Sequence, residues 1–459
     1  MGRIITIICI IIIAFAFFFT RLDNLDKRFS YGWDHEHLSF EVKKIVKEHK
    51  LTLLGPQANN DRGFFLGPYF TYLLVPFFLA SSMHPSALIW VVVIYNIIFF
   101  LAAWYVLKKV FNSLISLAFL FLWSVNPILI GYDINPWWPL LIPLGTILYW
   151  LFLYRLDKKM TVLNLFGLGV ILGILVNLHF QIFFLILFTC LFFLIHPSLR
   201  KRINLRLILT ILIGFGICMV PLVLFDLRHN FLNTKLLINF FHSRDVGDKN
   251  SGLFFWIPVF TNFIFPFIHT KSIIVGVIFY GIIESIVYWL CTKKKGFFGS
   301  FYKSFFLIWL IFPFLFSLYG KRPSEYYFLF LYPFILISLI DFFLTAKKRL
   351  FLILFLTLFI FINISEIRIV MTPSASNFYY KELAIKKLKE ITIQINKNYN
   401  LSFDVPLGRD VGYRYLMEYY AIQPSNNPSD PLIEIRIPPK DDDIRIGEQG
   451  IKIPKELRN

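Results

Sequence analysis

Charged residues are scarce in this sequence. Asp, Glu, Lys and Arg together make up 16% of the 459 residues, whereas a typical soluble domain contains about 25%. Hydrophobic residues make up 57% of the chain, and 55 of them are Phe, far more than one water-exposed fold can bury. This composition excludes a disordered chain and a coiled coil, and it indicates a polytopic integral membrane protein.

Cysteine is also rare. The chain has four cysteines and no Cys-x-x-Cys spacing, so neither a disulfide framework nor a zinc-binding knot is indicated. The first apolar segment follows a basic start but lacks a small-x-small cleavage site, and we therefore expect an uncleaved first span rather than a signal peptide.

Apolar segments of about 20 residues mark the membrane-spanning helices. The stretch from Thr161 to Ile195 would form a helix roughly 50 Å long, too long for one crossing of a ~30 Å hydrocarbon core. We therefore place a turn at its polar residues, Asn177 to His179. The prediction is eleven crossings, near residues 4–20, 86–107, 112–131, 138–154, 161–178, 180–196, 205–225, 272–291, 302–319, 326–345 and 349–364.

Two further helical segments do not fit this pattern. Residues 37–51 place apolar side chains on one face and Lys and Glu on the other, which is typical of a helix lying in the membrane interface. Residues 64–79 are apolar but contain Pro68 and Pro76. We predict that neither segment crosses the membrane.

The distribution of charge predicts the orientation. Five connections hold 15 basic residues and one acidic residue, Asp157, whereas residues 21–63 carry eight basic and seven acidic residues. Basic connections lie on the cytoplasmic side. The five basic connections and the N-terminus all lie on the cytoplasmic side only if residues 21–85 form one outer loop that contains two in-plane helices. The net charge of +18 is then explained by orientation and by anionic lipid.

The chain divides into two predicted domains. Residues 1–364 form an all-α transmembrane domain, and residues 365–459 form a small extracytoplasmic α/β domain with a helix near 381–397 and a strand near 432–437. This tail has no internal repeat and no phosphate-binding glycine loop.

Polar residues that are hard to explain lie in five separate outer connections, where they could meet in one cavity. Ionisable groups at membrane depth are costly and are often functional. Structural roles remain open for several of them: a helix cap for Asp133, a core histidine for His179, lipid contacts for Lys321 and Arg322, and an aromatic belt for the Trp and Tyr residues. The stretches are 31–37, 131–138, 177–181, 226–230 and 321–327.

The arrangement resembles the GT-C glycosyltransferases, specifically the superfamily of protein O-mannosyltransferases and aminoarabinose transferases. The resemblance covers residues 1–364. Asp34 matches the acidic motif early in the first loop, although His35 follows it and Glu36 comes one place later. The other similar segments are Gly67 to Leu73, Asp133 to Pro136, Asn177 to Phe180, Asp226 to Phe231, and Tyr319 to Pro333 with its Lys-Arg-Pro and Tyr-Tyr elements.

The resemblance implies transfer of a sugar from a polyprenyl-phosphate donor to a glycan, lipid or protein acceptor at the outer face of the plasma membrane, with inversion and no nucleic-acid partner. It implies a catalytic carboxylate, for which Asp34 is the first choice and Glu36 and Asp133 are the others. It assigns donor phosphate binding to Arg228, His229, Lys321 and Arg322, and substrate binding to Asn135, His179, Tyr326 and Tyr327. No metal-ligand spacing is present, which leaves the need for a divalent cation open.

Three other classes compete with this interpretation. One is a purely structural membrane scaffold, which would leave the polar residues of the outer connections unexplained. A flippase or transporter for lipid-linked sugars would typically show paired inverted repeats with charges at the midplane, and the chain shows neither. A polysaccharide ligase would normally have its large outer loop late among the spans, whereas the longest one here is the first.

The predicted orientation can be tested by topology mapping. Reporters fused at residues 50 and 400 should both lie outside the cytoplasm, because the first loop and the tail are predicted on the outer side. Fusions in the basic connections, at Lys109 and Lys348, serve as controls and should report the cytoplasm. A cytoplasmic signal at residue 50 or at residue 400 would contradict the prediction.

Overall fold

The computed structural model describes residues 3–58, 63–242, 273–319, 324–374, 376–395, 397–425 and 427–457. Helices account for most of these residues. They are α1 Arg3–Leu22, α2 Leu25–Arg28, α3 Trp33–Glu48, α4 Tyr69–Ala80, α5 Ala87–Val110, α6 Ser113–Ser124, α7 Pro127–Asp133, α8 Ile142–Lys158, α9 Val162–Leu178, α10 Phe183–Ile195, α11 Pro197–Arg200, α12 Leu205–Arg228, α13 Leu232–His242, α14 Ile273–Lys293, α15 Gly296–Tyr319, α16 Tyr332–Thr345, α17 Arg349–Met371, α18 Phe378–Ile395 and α19 Arg414–Tyr419.

The helices confirm the all-α membrane architecture. Within the described residues, seven helices are long and apolar enough to cross a membrane, and the bent pair α6–α7 makes up to eight. Three shorter apolar helices, α9, α10 and α16, coincide with the remaining predicted crossings. Each of the eleven predicted crossings therefore corresponds to an apolar helix or helix pair.

The chain reverses direction between α9 and α10, as predicted. Leu175 and Gly167 of α9 pack against Gly145 and Phe152 of α8, in reverse order along the two helices. By contrast, α10 runs parallel to α8. Tyr149 hydrogen-bonds to Thr189, and the Asp157 Oδ1 lies 3.1 Å from the His196 Nε2, so the contacts follow the same order along both helices. The polar residues 177–181 therefore form a turn at one end of the bundle.

Helices α3 and α4 occupy the connection between the first two spans. Helix α4 has 12 residues and extends about 18 Å, so it is shorter than every helix or helix pair that matches a predicted crossing. Buried Leu38, Val42 and Ile45 lie on one face of α3, and the 3.6-residue spacing places them toward the rest of the protein.

The five basic connections meet at one end of the bundle, which we call the basic end. Phe111 and Phe298 pack with ring centroids 5.1 Å apart, and Tyr154 and Phe192 each lie 5.5 Å from Phe297. At the same end, Lys294, Tyr302 and Thr345 donate hydrogen bonds to buried Asp341. The turn at 177–181 lies at the opposite end, which we call the site end.

The C-terminal domain combines α18 and α19 with a four-stranded sheet in the order β1-β2-β4-β3. The strands are β1 Asn400–Asp404, β2 Leu432–Arg436, β3 Ile444–Ile446 and β4 Gln449–Lys452. Strands β1 and β2 are parallel, whereas β2–β4 and β3–β4 are antiparallel. This confirms the small α/β domain, with β2 and α18 at the predicted strand and helix.

This domain packs directly on α3 and on the residues before it. The Lys381 ammonium, 1% exposed, donates hydrogen bonds to the carbonyls of Tyr31 and Val411, at 2.8 and 2.5 Å. The Tyr415 N–H donates to a carboxylate oxygen of Glu36 at 3.0 Å. Burial lowers the pKa of Lys381 to about 8, although nearby Glu36 acts in the opposite direction. The site end is therefore covered by the C-terminal domain, which contacts α3 through buried polar groups.

Replacing Lys381 with Met should destabilise the contact between the domains. The substitution leaves two buried carbonyls without a donor, which costs about 1–3 kcal/mol. Thermal unfolding of the detergent-purified protein would measure the loss. Lys387→Met is the matched control, since this lysine lies on the same helix and pairs with Glu390 at the surface. Equal stability of the two variants would contradict the proposed contribution of Lys381.

Candidate functional site

A buried ion pair fixes the break between α6 and α7. Asn126 caps α7, and Pro127 begins it, a combination typical of a helix start. The two helices meet at a bend of 80°, which leaves the last carbonyls of α6 without helical partners. Arg21 donates hydrogen bonds to the carbonyls of Trp123 and Ser124, at 2.6 and 3.0 Å. It also binds Asp133 through two nitrogens, at 3.0 and 2.9 Å.

Hydrogen bonds of the residues at and after Asp133 connect this ion pair to α3. The Asn96 amide donates to the Asp133 carbonyl, and two residues later Asn135 contacts His35, with Nε2 2.6 Å from the Asn135 Oδ1. Because the His35 Nδ1 accepts from the N–H of Gly32, Nε2 carries the proton and donates. Burial lowers the pKa of His35 to about 4, so the ring is neutral at physiological pH. The start of α3 is thus held by two hydrogen bonds of one imidazole.

Asp34 lies in the first turn of α3, beside this imidazole. Its carboxylate is half-buried, and it forms no hydrogen bond or ion pair with any described residue. Burial raises the pKa of Asp34 above its ordinary value, and His37 one turn later partly offsets this effect. The negative charge of the Asp34 carboxylate interacts electrostatically with the phenol of Tyr326. Asp34 therefore has no partner among the described residues, and it lies close enough to Tyr326 to act on the phenol electrostatically.

Tyr326 is the centre of an aromatic cluster that we call the Tyr326 cluster: Trp137, His179, Tyr326 and Tyr327. The ring centroids of Trp137, Tyr327 and His179 lie 4.7, 4.7 and 5.5 Å from that of Tyr326. The rings come from three connections of the site end. Tyr132 stacks on Trp137 at 6.2 Å. The structure thus brings predicted residues Asp34, His179, Tyr326 and Tyr327 together. Asn135 is linked to them through its hydrogen bond to His35, the neighbour of Asp34 in the sequence.

The predicted phosphate-binding residues lie elsewhere on the site end or outside the described residues. Arg228 and His229 are exposed at the end of α12, and the His229 ring stacks on Phe225 at 4.2 Å. No contact among the described residues joins Arg228 to Asp34. Lys321 and Arg322 lie outside the described residues.

The other two candidate carboxylates have structural partners. Glu36 is buried and accepts the Tyr415 N–H of the C-terminal domain, and Asp133 accepts hydrogen bonds from Arg21 and Trp123. Across the described ranges, no group of three His, Cys, Asp or Glu side chains is placed to hold a metal ion. Asp34 is thus the one of the three candidates whose carboxylate is unpaired within the described chain.

Four residues of the site end lie outside the set of predicted catalytic and binding residues, although His35, Trp137 and Gln181 belong to the polar stretches identified from the sequence. Arg21 and His35 position the backbone around Asp34, and Trp137 was attributed to an aromatic belt. Gln181 is buried one residue after Phe180, and neither polar atom of its amide has a hydrogen-bond partner in the described chain. The sequence did contain an indication for Arg21, because this basic residue lies at the outer end of the first predicted span, on the same side as the predicted acidic residue Asp133. No local pattern indicates the role of His35.

Comparison with known proteins supports the fold. No protein-family model and no curated protein sequence matches the chain. The structure is similar to that of ArnT from Cupriavidus metallidurans bound to undecaprenyl phosphate, with a TM-score of 0.54, 11% identity, and coverage of 95% of this chain and 94% of that one. The apo state of the same ArnT gives a TM-score of 0.54 at 11% identity and covers 94% and 92%.

A second similarity is to the oligosaccharyltransferase of Archaeoglobus fulgidus in complex with zinc and sulfate. The TM-score is 0.50 at 14% identity, with 92% of this chain and 62% of that chain covered. The chain therefore spans less than two thirds of the archaeal enzyme. Together the comparisons define a multi-pass membrane protein with the GT-C fold. Within that class, the similarity to ArnT extends over nearly the whole of both chains.

Replacing Arg21 with Met should destabilise the protein strongly. The substitution leaves the Asp133 carboxylate buried without its cation, and breaking a buried ion pair costs about 3–5 kcal/mol. Arg349→Met is the matched control, because Arg349 is exposed at the start of α17. Thermal unfolding in detergent should show a large loss for Arg21→Met alone, and Arg21→Met with Asp133→Leu should recover part of it. An unchanged midpoint in Arg21→Met would contradict this assignment.

Proposed function

We propose that this protein is a glycosyltransferase that moves a sugar from a polyprenyl-phosphate donor to an acceptor at the outer face of the plasma membrane. The observation that carries the proposal is the unpaired Asp34 carboxylate beside the Tyr326 cluster. The fold supports it, since ArnT, which shares this fold, has been captured with undecaprenyl phosphate.

The proposed chemistry is a direct displacement at the anomeric carbon of the donor. The acceptor hydroxyl attacks this carbon, Asp34 takes the hydroxyl proton, and the bond to the carrier phosphate breaks, which inverts the anomeric configuration. A general base is most effective when its pKa approaches the working pH. Burial moves the pKa of Asp34 in that direction, while no cation or hydrogen-bond donor of the described chain occupies its oxygens.

The leaving group is the carrier phosphate, and positive charge near it would stabilise the transition state. Arg228 and His229 are the described residues that we propose for this role, together with Lys321 and Arg322. The exposure of Arg228 and His229 on the site end supports access to a charged headgroup. Arg is well suited, because its guanidinium binds phosphate oxygens through two parallel hydrogen bonds. The isoprenoid chain would lie against apolar helix faces reached from the bilayer.

The neutral His35 gives Asp34 a fixed position without adding a competing charge. It holds Gly32 at the start of α3 and Asn135 beyond Asp133. A cation at this place would lower the pKa of the neighbouring carboxylate and weaken it as a base. We therefore propose that His35, Asn135, Arg21 and Asp133 position the base, and that Asp34 carries out proton transfer.

Replacing Asp34 with Asn should abolish transfer while leaving the protein folded and inserted. Removal of a general base typically lowers the rate by about 10²–10⁴-fold. Isolated membranes supplied with labelled polyprenyl-phosphate sugars, followed for transfer of the label, would measure the change. Glu48→Gln is the control, because Glu48 lies on the exposed last turn of the same helix. Turnover by Asp34→Asn at the wild-type level would remove Asp34 from the mechanism.

The wild-type protein should lose activity on the acidic side. The carboxylate acts as a base only when deprotonated, so activity is present above the pKa of Asp34 and lost as the pH falls through it. Because burial raises that pKa, the acid limb of the pH–rate profile should lie at a higher pH than the ordinary titration range of an aspartate. A profile that stays flat through the ordinary titration range of an aspartate would contradict this role.

A further inference from the structure

The Tyr326 cluster contains polar atoms that are buried but have no hydrogen-bond partner among the described residues. Trp137 is 9% exposed and His179 is 5% exposed, and neither the Trp137 Nε1 nor the His179 Nδ1 is paired. Both rings contact the ring of Tyr326. Buried polar groups are nearly always hydrogen-bonded in native proteins, so each exception requires an explanation.

The turn that carries His179 adds a second unpaired group. Gln181 is 2% exposed, and both its amide nitrogen and its amide oxygen lack a partner in the described chain. Phe180, between the two, packs on Tyr327 at 5.9 Å. An apolar residue at such positions would avoid the cost of burying a polar group, and three such side chains meet here beside the aromatic rings of one cluster, which makes this cluster a candidate ligand site.

The chemistry of this cluster fits a neutral ligand rather than a phosphate. Across the described ranges, no Lys or Arg forms a hydrogen bond, an ion pair or a cation–π contact with Trp137 or His179. Apart from the Asp34 carboxylate, which would repel a phosphate, the groups present are an indole N–H, an imidazole, an amide and aromatic faces. Aromatic faces pack against the C–H face of a sugar ring, while neutral donors and acceptors bind its hydroxyls.

We propose that Trp137, His179 and Gln181, with the ring of Tyr326, form the glycosyl subsite, and that it binds an uncharged sugar. The inference rests on the proposed function and deepens it. Because the charge of Asp34 acts on Tyr326, a sugar bound in this cluster would lie near the proposed base. The carrier phosphate would bind outside this cluster, toward the exposed basic residues of the site end.

The test compares two ligands on the purified full-length protein in lipid nanodiscs: polyprenyl phosphate, and the same carrier bearing a neutral hexose. The wild-type protein should prefer the glycosylated carrier. Trp137→Phe and His179→Phe keep an aromatic ring but remove the nitrogen atoms. Each should lower affinity for the glycosylated carrier about tenfold, the value of roughly one hydrogen bond, without changing affinity for the bare carrier.

A matched control separates binding from packing. Trp150 in α8 is also fully buried, and its indole N–H has no partner among the described residues, but it packs on Phe301 and Phe334 within the bundle. Trp150→Phe should leave both affinities unchanged. Gln181→Leu provides an independent variant should either aromatic substitution impair folding; it should weaken binding of the glycosylated carrier alone and keep or raise the unfolding temperature.

The outcomes distinguish this inference from the proposed function. Equal weakening of both ligands in the variants, or wild-type preference for a carrier bearing an amino sugar or a uronic acid, would overturn the neutral glycosyl subsite. Selective binding of the neutral hexose without transfer to any acceptor would support the subsite and refute the transferase. Transfer that is unaffected by all three substitutions would support the transferase and refute the subsite.

Discussion

The pairing of Arg21 with Asp133 is the interaction on which the site end depends. A helix that breaks within an apolar bundle exposes carbonyls that lipid cannot satisfy, and the 80° bend between α6 and α7 creates this problem. The guanidinium meets it by binding two of those carbonyls and a carboxylate at once. Because the same carboxylate ends α7, the position of Asn135, and through His35 that of α3, follows from one ion pair.

The architecture was largely predictable because it depends on local properties of the chain. Hydropathy and segment length predict a helix wherever the chain must cross the hydrocarbon core of the bilayer. The polar residues within 177–181 mark a reversal of the chain, because polar groups are costly inside an apolar helix. Charge asymmetry correctly grouped the connections into two sets, and contacts such as Phe111–Phe298 and Trp137–Tyr326 place the two sets at opposite ends. Short connections then leave few alternatives for how neighbouring helices pack.

The partners within the site end were not predictable from the sequence alone. Arg21 and Asp133 are separated by 112 positions, and Glu36 and Tyr415 by 379, so no periodicity or spacing relates them. The sequence ranked Asp34 ahead of Glu36 and Asp133 but could not show which of the three carboxylates has a partner. Tertiary contacts separate them, because Asp133 pairs with Arg21 and Glu36 accepts the N–H of Tyr415, whereas Asp34 has no partner among the described residues. The same applies to Trp137, whose contacts with Tyr132 and Tyr326 are absent from any sequence pattern.

The contact of the C-terminal domain with α3 has a consequence for biosynthesis. The groups that bind Tyr31 and Glu36 come from Lys381 and Tyr415, which the ribosome adds after every span. A nascent chain thus inserts its helices while α3 still lacks these contacts, and the surroundings of Asp34 are complete only after the C-terminal domain has been synthesised and has folded against α3. Maturation of the protein is therefore ordered by translation itself, with the first loop the last part of the bundle to reach its final state.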